Sequence, residues 1–397
     1  MKIRHFYQRN LRWLEILSFF IERRFVRYIL RPFLPIKSNK IVFDNFCGRG
    51  LGDSPMYIAE EIIRQGLNYD MVWLVKDMKT DMPSEIRKVK YRSFQSLIEI
   101  ATAKVWVDNQ KLGITEEKRK GQFYIQTWHG GGVLLKYVEK AAVDTLSDYE
   151  IKLSQEVSQR MNLIISDNKL ISDDYKENFW LPDSCEILEC GMPCKDGLYR
   201  KAEEIDTLKK DIVGDRDVKI ALYAPTFRDD NSIEGYKIDL EAVREKLEET
   251  TNQKWVIIVR MHPNAVKLSS TFSFNDNIID GSSSSNPMDM TVISDLLITD
   301  YSSMSSDFLY LDKPVFILAL DLEHYVNKCR KLHTYFYSLP YPYSTSNEEL
   351  LSAIDDFDYR TYLERIRDYK ENFLKPFGDG HASQHVVKRI KEVIEKI

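Results

Sequence analysis

Short apolar runs alternate with amphipathic stretches along the chain from about residue 41 onward. The apolar runs predict strands that are buried on both faces, and the stretches between them carry apolar residues at helical spacing. This alternation is typical of parallel sheets with crossover helices. The predicted strands are Ile41–Phe46, Met71–Val75, Val105–Val107, Phe123–Gln126, Leu163–Ser166, Glu186–Leu188, Ile220–Tyr223, Trp255–Val259, Leu296–Thr299 and Val315–Ile317. The predicted helices are Pro55–Gln65, Ser93–Ala101, Leu240–Thr250, Met288–Ser294 and Met304–Leu311.

These elements form two series, and the charged stretch Lys201–Asp217 connects them. Each series predicts a doubly wound sheet of the Rossmann type, whose ligands bind at the carboxyl ends of the strands. Two such sheets in tandem predict a cleft between their edges. We therefore expect an α/β protein with one domain over residues 41–200 and another over residues 201–397, whose last helix is free to cross back.

The first forty residues differ from the rest of the chain in charge. They carry a net charge of +8, whereas residues 41–397 carry −13 and the whole chain carries −5. Wound as a helix, the segment places Leu17, Ile21 and Phe25 on one face and arginines on another. We expect residues 1–40 to bind an anionic membrane surface without spanning the bilayer. The alternative is a helix that packs on its own domain and leaves its basic face in water.

Composition limits the classes of protein that remain. Of the 397 residues, 43% are hydrophobic and 12% are aromatic, which is typical of a globular protein. The five cysteines lack the paired C-x2-C spacing of a zinc site, and their small, odd number favours a reducing cytoplasm. The acidic net charge argues against nucleic-acid binding.

A glycine-rich turn, Gly48–Ser54, follows the first predicted strand and precedes a helix. Glycines let the backbone approach a phosphate closely, and a helix start offers free N–H groups. A tight turn without any ligand explains the same residues. Because the turn lacks the G-x-G-x-x-G spacing, a dinucleotide site is a weak hypothesis. The candidate contacts to an acceptor or a phosphate are Gly50, Asp53 and Ser54.

His129 follows the strand Phe123–Gln126 and precedes three glycines. A histidine at the end of a strand can take a proton from an incoming hydroxyl near neutral pH. A structural histidine in a glycine turn is the alternative. Gly130 leaves room for a substrate, and Lys136 either binds an anion or is a solvated surface residue.

The second series also places polar residues after its strands. Thr226 and Arg228 follow one strand, and Arg260 and His262 follow another. Arginine offers paired hydrogen bonds to phosphate, and histidine offers a hydrogen bond or a charge. Salt bridges between the two domains are the alternative role for the arginines.

Asp300, Ser302 and Ser303 lie between a predicted strand and a predicted helix. The free N–H groups and the dipole at the start of a helix favour an anion there, and the two hydroxyls add donors. A role as the helix N-cap explains one of the serines without a ligand, but not both.

Taken together, these segments resemble the CDP-glycerol glycerophosphotransferase family of teichoic acid and capsule synthesis. The resemblance covers nearly all of residues 41–390. It is carried by Gly48–Pro55, Gln126–Gly130, Gly191–Asp196, Tyr223–Arg228, Arg260–Pro263, Leu297–Ser303 with Asp307, Asp312–Pro314, Asp321–Glu323 and Asp379–Ser383.

The resemblance implies a GT-B-like fold, with an acceptor-side domain over residues 41–200 and a nucleotide-donor domain over residues 201–397. It implies peripheral attachment to the cytoplasmic face of the cell membrane. By resemblance, His129 is the catalytic base and His262 lies beside the donor pyrophosphate. The implied donor-binding residues are Thr226, Arg228, Arg260, Asp300, Ser302, Ser303 and Asp307. The candidate acceptor or phosphate contacts are Gly50, Asp53, Ser54, Gly130, Lys136 and Asp196. The family commonly has an arginine one position before Lys195, where this chain has Cys194.

The resulting hypothesis is a displacement at phosphorus. An acceptor hydroxyl, deprotonated by His129, attacks CDP-glycerol or CDP-ribitol, and CMP leaves. The acceptor is a lipid-linked or polymeric saccharide or polyol phosphate. No metal or other cofactor is required, and a Mg²⁺ shared with the diphosphate is left open. The alternatives are a GT-B glycosyltransferase that uses a nucleotide sugar and a non-catalytic scaffold of a polymer-assembly complex.

Overall fold

A computed structural model describes residues 17–111, 113–129, 140–283 and 286–395 of the chain. Residues 1–16 of the predicted membrane segment lie outside the described residues. The candidate site residues Gly130 and Lys136 lie outside them as well, so their roles stay predictions.

The first sheet has seven parallel strands in the order β3-β2-β1-β4-β5-β6-β7. The chain reverses its direction of winding beside β1, as it does in doubly wound folds. Its strands are β1 (Lys37–Asp44), β2 (Asp70–Val75), β3 (Ile86–Lys90), β4 (Ala103–Asp108), β5 (Phe123–Gln126), β6 (Leu163–Ser166) and β7 (Glu186–Glu189).

The second sheet has six parallel strands in the order β10-β9-β8-β11-β12-β13. It is also doubly wound, with β8 beside the point where the strand order reverses. Its strands are β8 (Lys219–Tyr223), β9 (Trp255–Val259), β10 (Ile278–Asp280), β11 (Leu296–Thr299), β12 (Val315–Leu318) and β13 (Tyr343–Ser344).

Helices cover the two sheets. The first, α1, occupies residues 17–25 and continues as a wider helical turn over Val26–Leu30. The others are α2 (Asp53–Arg64), α3 (Phe94–Thr102), α4 (Asp148–Ser158), α5 (Lys169–Asn178), α6 (Ala202–Val213), α7 (Leu240–Thr251), α8 (Pro287–Ile293), α9 (Met304–Tyr310), α10 (Leu322–His324), α11 (Asn347–Asp355), α12 (Tyr359–Asp368) and α13 (Ala382–Glu395).

The central strands are buried because helices lie on both faces of each sheet. Every residue of β9 and β11 is buried, as continuous apolar runs require. In the first sheet, Phe43 of β1 stacks on Trp73 of β2 with ring centroids 5.3 Å apart. The two sheets therefore have separate apolar cores, and the polar residues that follow each strand are left at the sheet edges.

The last helix, α13, returns to the first sheet. Its apolar residues Val386 and Ile390 are fully buried in the same cluster as Ile58 and Ile62 of α2. Burial of one such side chain contributes about 1.5–3 kcal/mol, so this face holds the chain terminus on the first sheet.

Three edge strands and several helices were not predicted. β3 alternates buried and exposed residues within a charged sequence, which hides it from a search for apolar runs. The stretch Lys201–Asp217 was expected to be a connection, but it contains α6. This helix packs Ile205, Leu208 and Ile212 against the second core, at the spacing of one helical face.

Two arginines of α1 and the turn that follows it bond to their own domain. Arg23 donates to the carbonyl of Thr115 at 2.7 Å, and Arg27 pairs with Glu117. The expectation that these arginines meet lipid or water is therefore wrong for Arg23 and Arg27. The apolar side is left exposed instead, with exposed fractions of 51% for Phe20 and 61% for Ile21. Among the described residues, no helix is long and apolar enough to span a bilayer.

Candidate active site between the two sheets

Two histidines follow strands of opposite sheets and lie in one electrostatic environment. His129 follows β5 and His262 follows β9. Arg49, in the glycine turn after β1, donates to Asn264 Oδ1 at 3.1 Å and so joins the two sides. Burial lowers the pKa of both histidines, and the charges of Arg49 and Arg330 lower both further, so both cations lie near both rings. The two histidines therefore share a cationic environment.

The hydrogen bond of His129 sets its tautomer. Its Nδ1–H donates to the carbonyl of Asn109 at 2.6 Å, which leaves the Nε2 lone pair available. The rings of Phe46 and Trp128 lie 5.0 and 4.6 Å from the imidazole, centroid to centroid. Burial lowers the pKa of His129, and the nearby Asp53 opposes this effect. The ring is therefore neutral at pH 7 and can accept a proton at Nε2.

His262 has the opposite tautomer. Its Nδ1 accepts the backbone N–H of Asn264 at 3.1 Å, so the neutral ring carries its proton on Nε2. Burial and the charges of Arg49, Arg330 and Arg260 lower its pKa to about 4. The ring stacks on Phe227 with centroids 5.7 Å apart. His262 is thus a hydrogen-bond donor at neutral pH, while His129 is an acceptor.

The glycine turn Gly48–Ser54 lies beside His129 at the edge of the first sheet. Gly50 has φ of +120° and accepts hydrogen bonds from Asn45 and Trp73 at 2.8 and 3.2 Å, so its carbonyl holds the turn together. Asp53 lies close enough to His129 for each to shift the pKa of the other. Ser54 Oγ accepts the N–H of Cys194 at 3.3 Å and is buried. Of the three candidates in this turn, Asp53 is the one beside the histidine.

Three further candidate donor contacts, one threonine and two serines, follow strands of the second sheet. Thr226 Oγ1 is buried and has no hydrogen-bond partner within the described ranges. Ser302 Oγ accepts the N–H of Met304 at 3.3 Å, whereas Ser303 is the N-cap of α9 but makes no capping bond with its side chain. One serine therefore acts as a cap and the other does not.

Arg228 requires a correction. It was expected to bind the donor, but it is fully buried and its guanidinium forms a bidentate pair with Asp321 at 2.9 and 2.7 Å. Its remaining nitrogen donates to Asp300 Oδ2 at 2.6 Å. Asp300 also accepts the N–H of Thr226 at 2.8 Å. Arg228 and Asp300 therefore hold together the loops that follow β8, β11 and β12. The salt bridges of Arg228 thus join residues within 201–397 and do not connect the two halves of the chain.

Asp196 and Asp307 are also engaged elsewhere. The Asp196 carboxylate accepts the N–H groups of Ala382 and Ser383 at 2.9 and 2.8 Å, which makes it the cap of α13. Asp307 pairs with the buried Lys195 at 3.2 Å, and Lys195 also contacts Asp167 at 2.9 Å. Burial raises the pKa of Asp307 to about 6. These two predicted ligand contacts instead connect the halves of the chain.

Sequence reasoning missed three residues of this site. Arg49 lies within the glycine turn Gly48–Ser54, and its place in that turn could have indicated it. Asn109 directly follows β4, at the same sheet edge as His129. Arg330 had no local signal, because it follows a helical turn, Tyr325–Cys329, whose register the sequence pattern does not reveal.

Two doubly wound parallel sheets whose strand ends face one site form a GT-B-like α/β fold, and the predicted fold class is confirmed. The family model described as "CDP-Glycerol:Poly(glycerophosphate) glycerophosphotransferase" matches residues 26–392. The chain belongs to this family, as the motifs predicted.

Individual relatives agree with the family match. A teichoic acid poly(glycerol phosphate) polymerase of Staphylococcus epidermidis is 31% identical over 378 residues, which cover 91% of this chain and 52% of the relative. This chain thus spans about half of that relative. A teichoic acid glycerol-phosphate transferase of Staphylococcus aureus is 29% identical, with 90% of this chain and 94% of the relative covered.

A solved structure has the same fold. The wall teichoic acid polymerase TagF, in a variant soaked with CDPG, superposes with a TM-score of 0.82 at 28% identity. The match covers 100% of this chain and 99% of that one.

Proposed function

We propose that the protein transfers glycerol phosphate or ribitol phosphate from a CDP-linked donor to a hydroxyl of a teichoic acid or related polymer, and releases CMP. The observation that carries this proposal is the pair of neutral histidines with opposite Nε2 roles. One ring accepts a proton and the other donates a hydrogen bond, and the charges of Arg49 and Arg330 act on both. Relatives named for glycerol phosphate and for ribitol phosphate both align with this chain, at 31% and 26% identity.

In this mechanism, His129 Nε2 takes the proton of the acceptor hydroxyl. The acceptor oxygen forms a bond to the β-phosphorus, the bond from that phosphorus to the bridging oxygen breaks, and CMP leaves with the electron pair. The Asn109 carbonyl stabilises the imidazolium that forms, because it accepts the Nδ1–H at 2.6 Å. The proton then passes to solvent.

The donor phosphates are bound by cations and N–H groups. His262 Nε2–H donates to a phosphate oxygen, and Arg49, Arg260 and Arg330 reduce the negative charge that builds up on the phosphoryl oxygens. Catalysis of phosphoryl transfer depends mainly on such positioning and charge stabilisation. The low pKa of His262 keeps its ring neutral at pH 7, with its proton on Nε2.

Two carboxylates near this site, those of Asp300 and Asp307, are paired with cations of the protein. Asp300 is bound to Arg228, and Asp307 is bound to Lys195. Asp53 accepts the N–H of Ser54 through Oδ1 at 2.5 Å. The proposed mechanism therefore assigns no step to a metal.

Ser303 provides a test of the donor site. In Ser303→Ala, the affinity for CMP measured by calorimetry should fall about 2–10-fold, because a neutral hydrogen bond contributes about 0.5–1.5 kcal/mol. Stability should be unchanged, since the side chain does not cap α9. Ser305→Ala is the matched control, because its hydroxyl donates to the Ser302 carbonyl at 3.0 Å within the same turn. Equal CMP affinities in wild type and Ser303→Ala would remove this serine from the donor site.

Attachment of the enzyme to the cytoplasmic face of the membrane is the second part of the proposal. It is supported by the exposed apolar side of α1 and by a groove of about 600 Å³ between α1 and α4. Leu17, Phe20 and Tyr149 line this groove together with Arg24 and Lys152. An apolar surface rimmed by cations fits an anionic lipid interface.

Vesicle binding tests this attachment. The triple variant Phe20→Ser, Ile21→Ser, Phe25→Ser should bind phosphatidylglycerol vesicles at least about tenfold more weakly. Each apolar side chain contributes a favourable free energy when it moves from water into the membrane interface. Its melting temperature should be unchanged, because the three side chains are exposed. The control variant Ile233→Ser, Tyr337→Ser changes exposed apolar residues elsewhere. Equal cosedimentation of the triple variant and wild type would place the membrane contact outside α1.

A further inference from the structure

Three side chains of metal-ligating type meet at a place that the proposed phosphotransfer does not use. Asp230 lies in the loop after β8, His324 ends α10, and Cys329 ends the helical turn Tyr325–Cys329. His324 Nε2 lies 2.7 Å from Asp230 Oδ2, and Cys329 Sγ lies 3.6 Å from Asp230 Oδ1. One ligand atom from each residue lies within 4.8 Å of the other two. Among the described residues, no other group of three such side chains is this close.

The donor set distinguishes between metals. A thiolate with an imidazole and a carboxylate suits Zn²⁺, whereas Mg²⁺ and Ca²⁺ take oxygen ligands. Tetrahedral Zn²⁺ with these ligands separates its donor atoms by about 3.3–3.6 Å, given bond lengths of about 2.0–2.3 Å. His324 Nε2 lies 2.7 Å from Asp230 Oδ2, closer than this range, and Cys329 Sγ lies 3.6 Å from Asp230 Oδ1, at its upper end, so side-chain rotation is needed to admit the ion.

The surroundings favour a bound cation and let it enter. The N–H of Ser232 donates to Asp230 Oδ1 at 3.0 Å, which orients the carboxylate toward the other two side chains. Asp230 is exposed and the other two side chains are half-buried, which leaves a path from solvent. Tyr325 is fully buried and stacks on Tyr301 at 4.0 Å, so the turn that carries Cys329 is anchored.

We propose that Asp230, His324 and Cys329 form a Zn²⁺ site that joins the loop after β8 to the end of the turn Tyr325–Cys329. The residues next to two of the ligands already pair with each other, since Arg330 binds Asp229 through two hydrogen bonds of 2.8 and 3.0 Å. The metal and this ion pair are adjacent links between the same two segments. A bound ion therefore holds Arg330 in place beside His129 and His262.

Sequence spacing could not reveal this site. His324 and Cys329 are five positions apart, and Asp230 precedes His324 by 94 positions. The paired C-x2-C spacing that usually marks zinc is absent from the chain. Three protein ligands also leave a fourth position for water, as in zinc sites that are not purely structural.

Titration of the full-length protein with CoCl₂ tests the proposal. Co²⁺ should produce visible d–d bands and an ultraviolet thiolate-to-cobalt band at one equivalent, and ZnCl₂ should displace it. Cys329→Ser should abolish the thiolate band. Cys329→Ser and His324→Ala should each weaken Zn²⁺ binding by at least about 10–100-fold. Mutation of a residue that only hydrogen-bonds to a metal ligand already lowers metal affinity by this factor. Cys185→Ser and His385→Ala are the matched controls and should bind as wild type does.

A second measurement needs no variant. In wild-type protein, ZnCl₂ should slow the alkylation of Cys329, followed by peptide mass spectrometry, and leave that of Cys185 unchanged. The proposal is overturned if wild type gives no thiolate-to-cobalt band, if Cys329→Ser binds Zn²⁺ as tightly as wild type, or if zinc fails to protect Cys329.

Discussion

Replacing His129 with alanine is expected to lower turnover by about 10²–10⁴-fold, the usual contribution of a general base. The affinity for CMP should stay nearly unchanged, because the proposed role of His129 is toward the acceptor hydroxyl. The measurement is CMP release at saturating donor, with calorimetric CMP binding alongside. His385→Ala, which removes an exposed histidine of α13, is the matched control and should retain full turnover.

The pH dependence of wild-type turnover gives an independent check on the same residue. Only the neutral ring can accept a proton, so activity should fall on the acid side as His129 is protonated. Burial lowers the pKa of His129, so the fall should occur below the ordinary value of 6.5. Near-normal turnover in a folded His129→Ala protein, or an acid limb that persists in this variant, would remove His129 from the mechanism.

Replacing Arg228 with methionine is expected to lower the free energy of unfolding by about 3–5 kcal/mol, since removal of one partner leaves a buried charge uncompensated. Two carboxylates, Asp300 and Asp321, lose their shared cation at once. The guanidinium also lies over the rings of Tyr236, Tyr301 and Tyr325, at 5.0–5.2 Å. Denaturant unfolding followed by fluorescence measures the change.

Arg360→Met is the matched control for this prediction. Arg360 also lies beside a carboxylate, that of Glu364 at 3.5 Å, but both side chains are exposed, by 89% and 65%. Water screens an ion pair between exposed side chains, so the control should lose little stability. A similar, small loss in both variants would contradict the interpretation of Arg228 as a buried positioning residue. A large loss of CMP affinity in a stable Arg228→Met protein would restore its predicted donor contact.

The apolar runs predicted the central strands because burial on both faces demands continuous apolar sequence. Phe123–Gln126 and Trp255–Val259 have the same bounds in the structure as in the prediction. The edge strands β10 and β13, of three and two residues, are too short to give such a pattern. Helix α4 begins with a Ser147 capping box that the search for apolar spacing did not use.

Candidate site residues were predictable by position but less so by role. Parallel strands place their following residues at one edge, so His129, His262 and Thr226 could be chosen from the sequence. The partners of Arg228 and Asp196 could not. Asp321 lies 93 positions from Arg228, and Ser383 lies 187 positions from Asp196. Such pairings depend on tertiary structure that no local pattern encodes.

The central claim is transfer of an alditol phosphate with release of CMP. The most direct test is ³¹P NMR of the products after incubation with CDP-glycerol or CDP-ribitol, in turn, and a teichoic acid primer in membrane vesicles. The account predicts a new phosphodiester signal and one CMP for each unit added with at least one of the two donors, and neither product in His129→Ala. If neither CDP-alditol is consumed, or if the protein instead transfers a sugar from a nucleotide sugar without forming a phosphodiester, the account is contradicted.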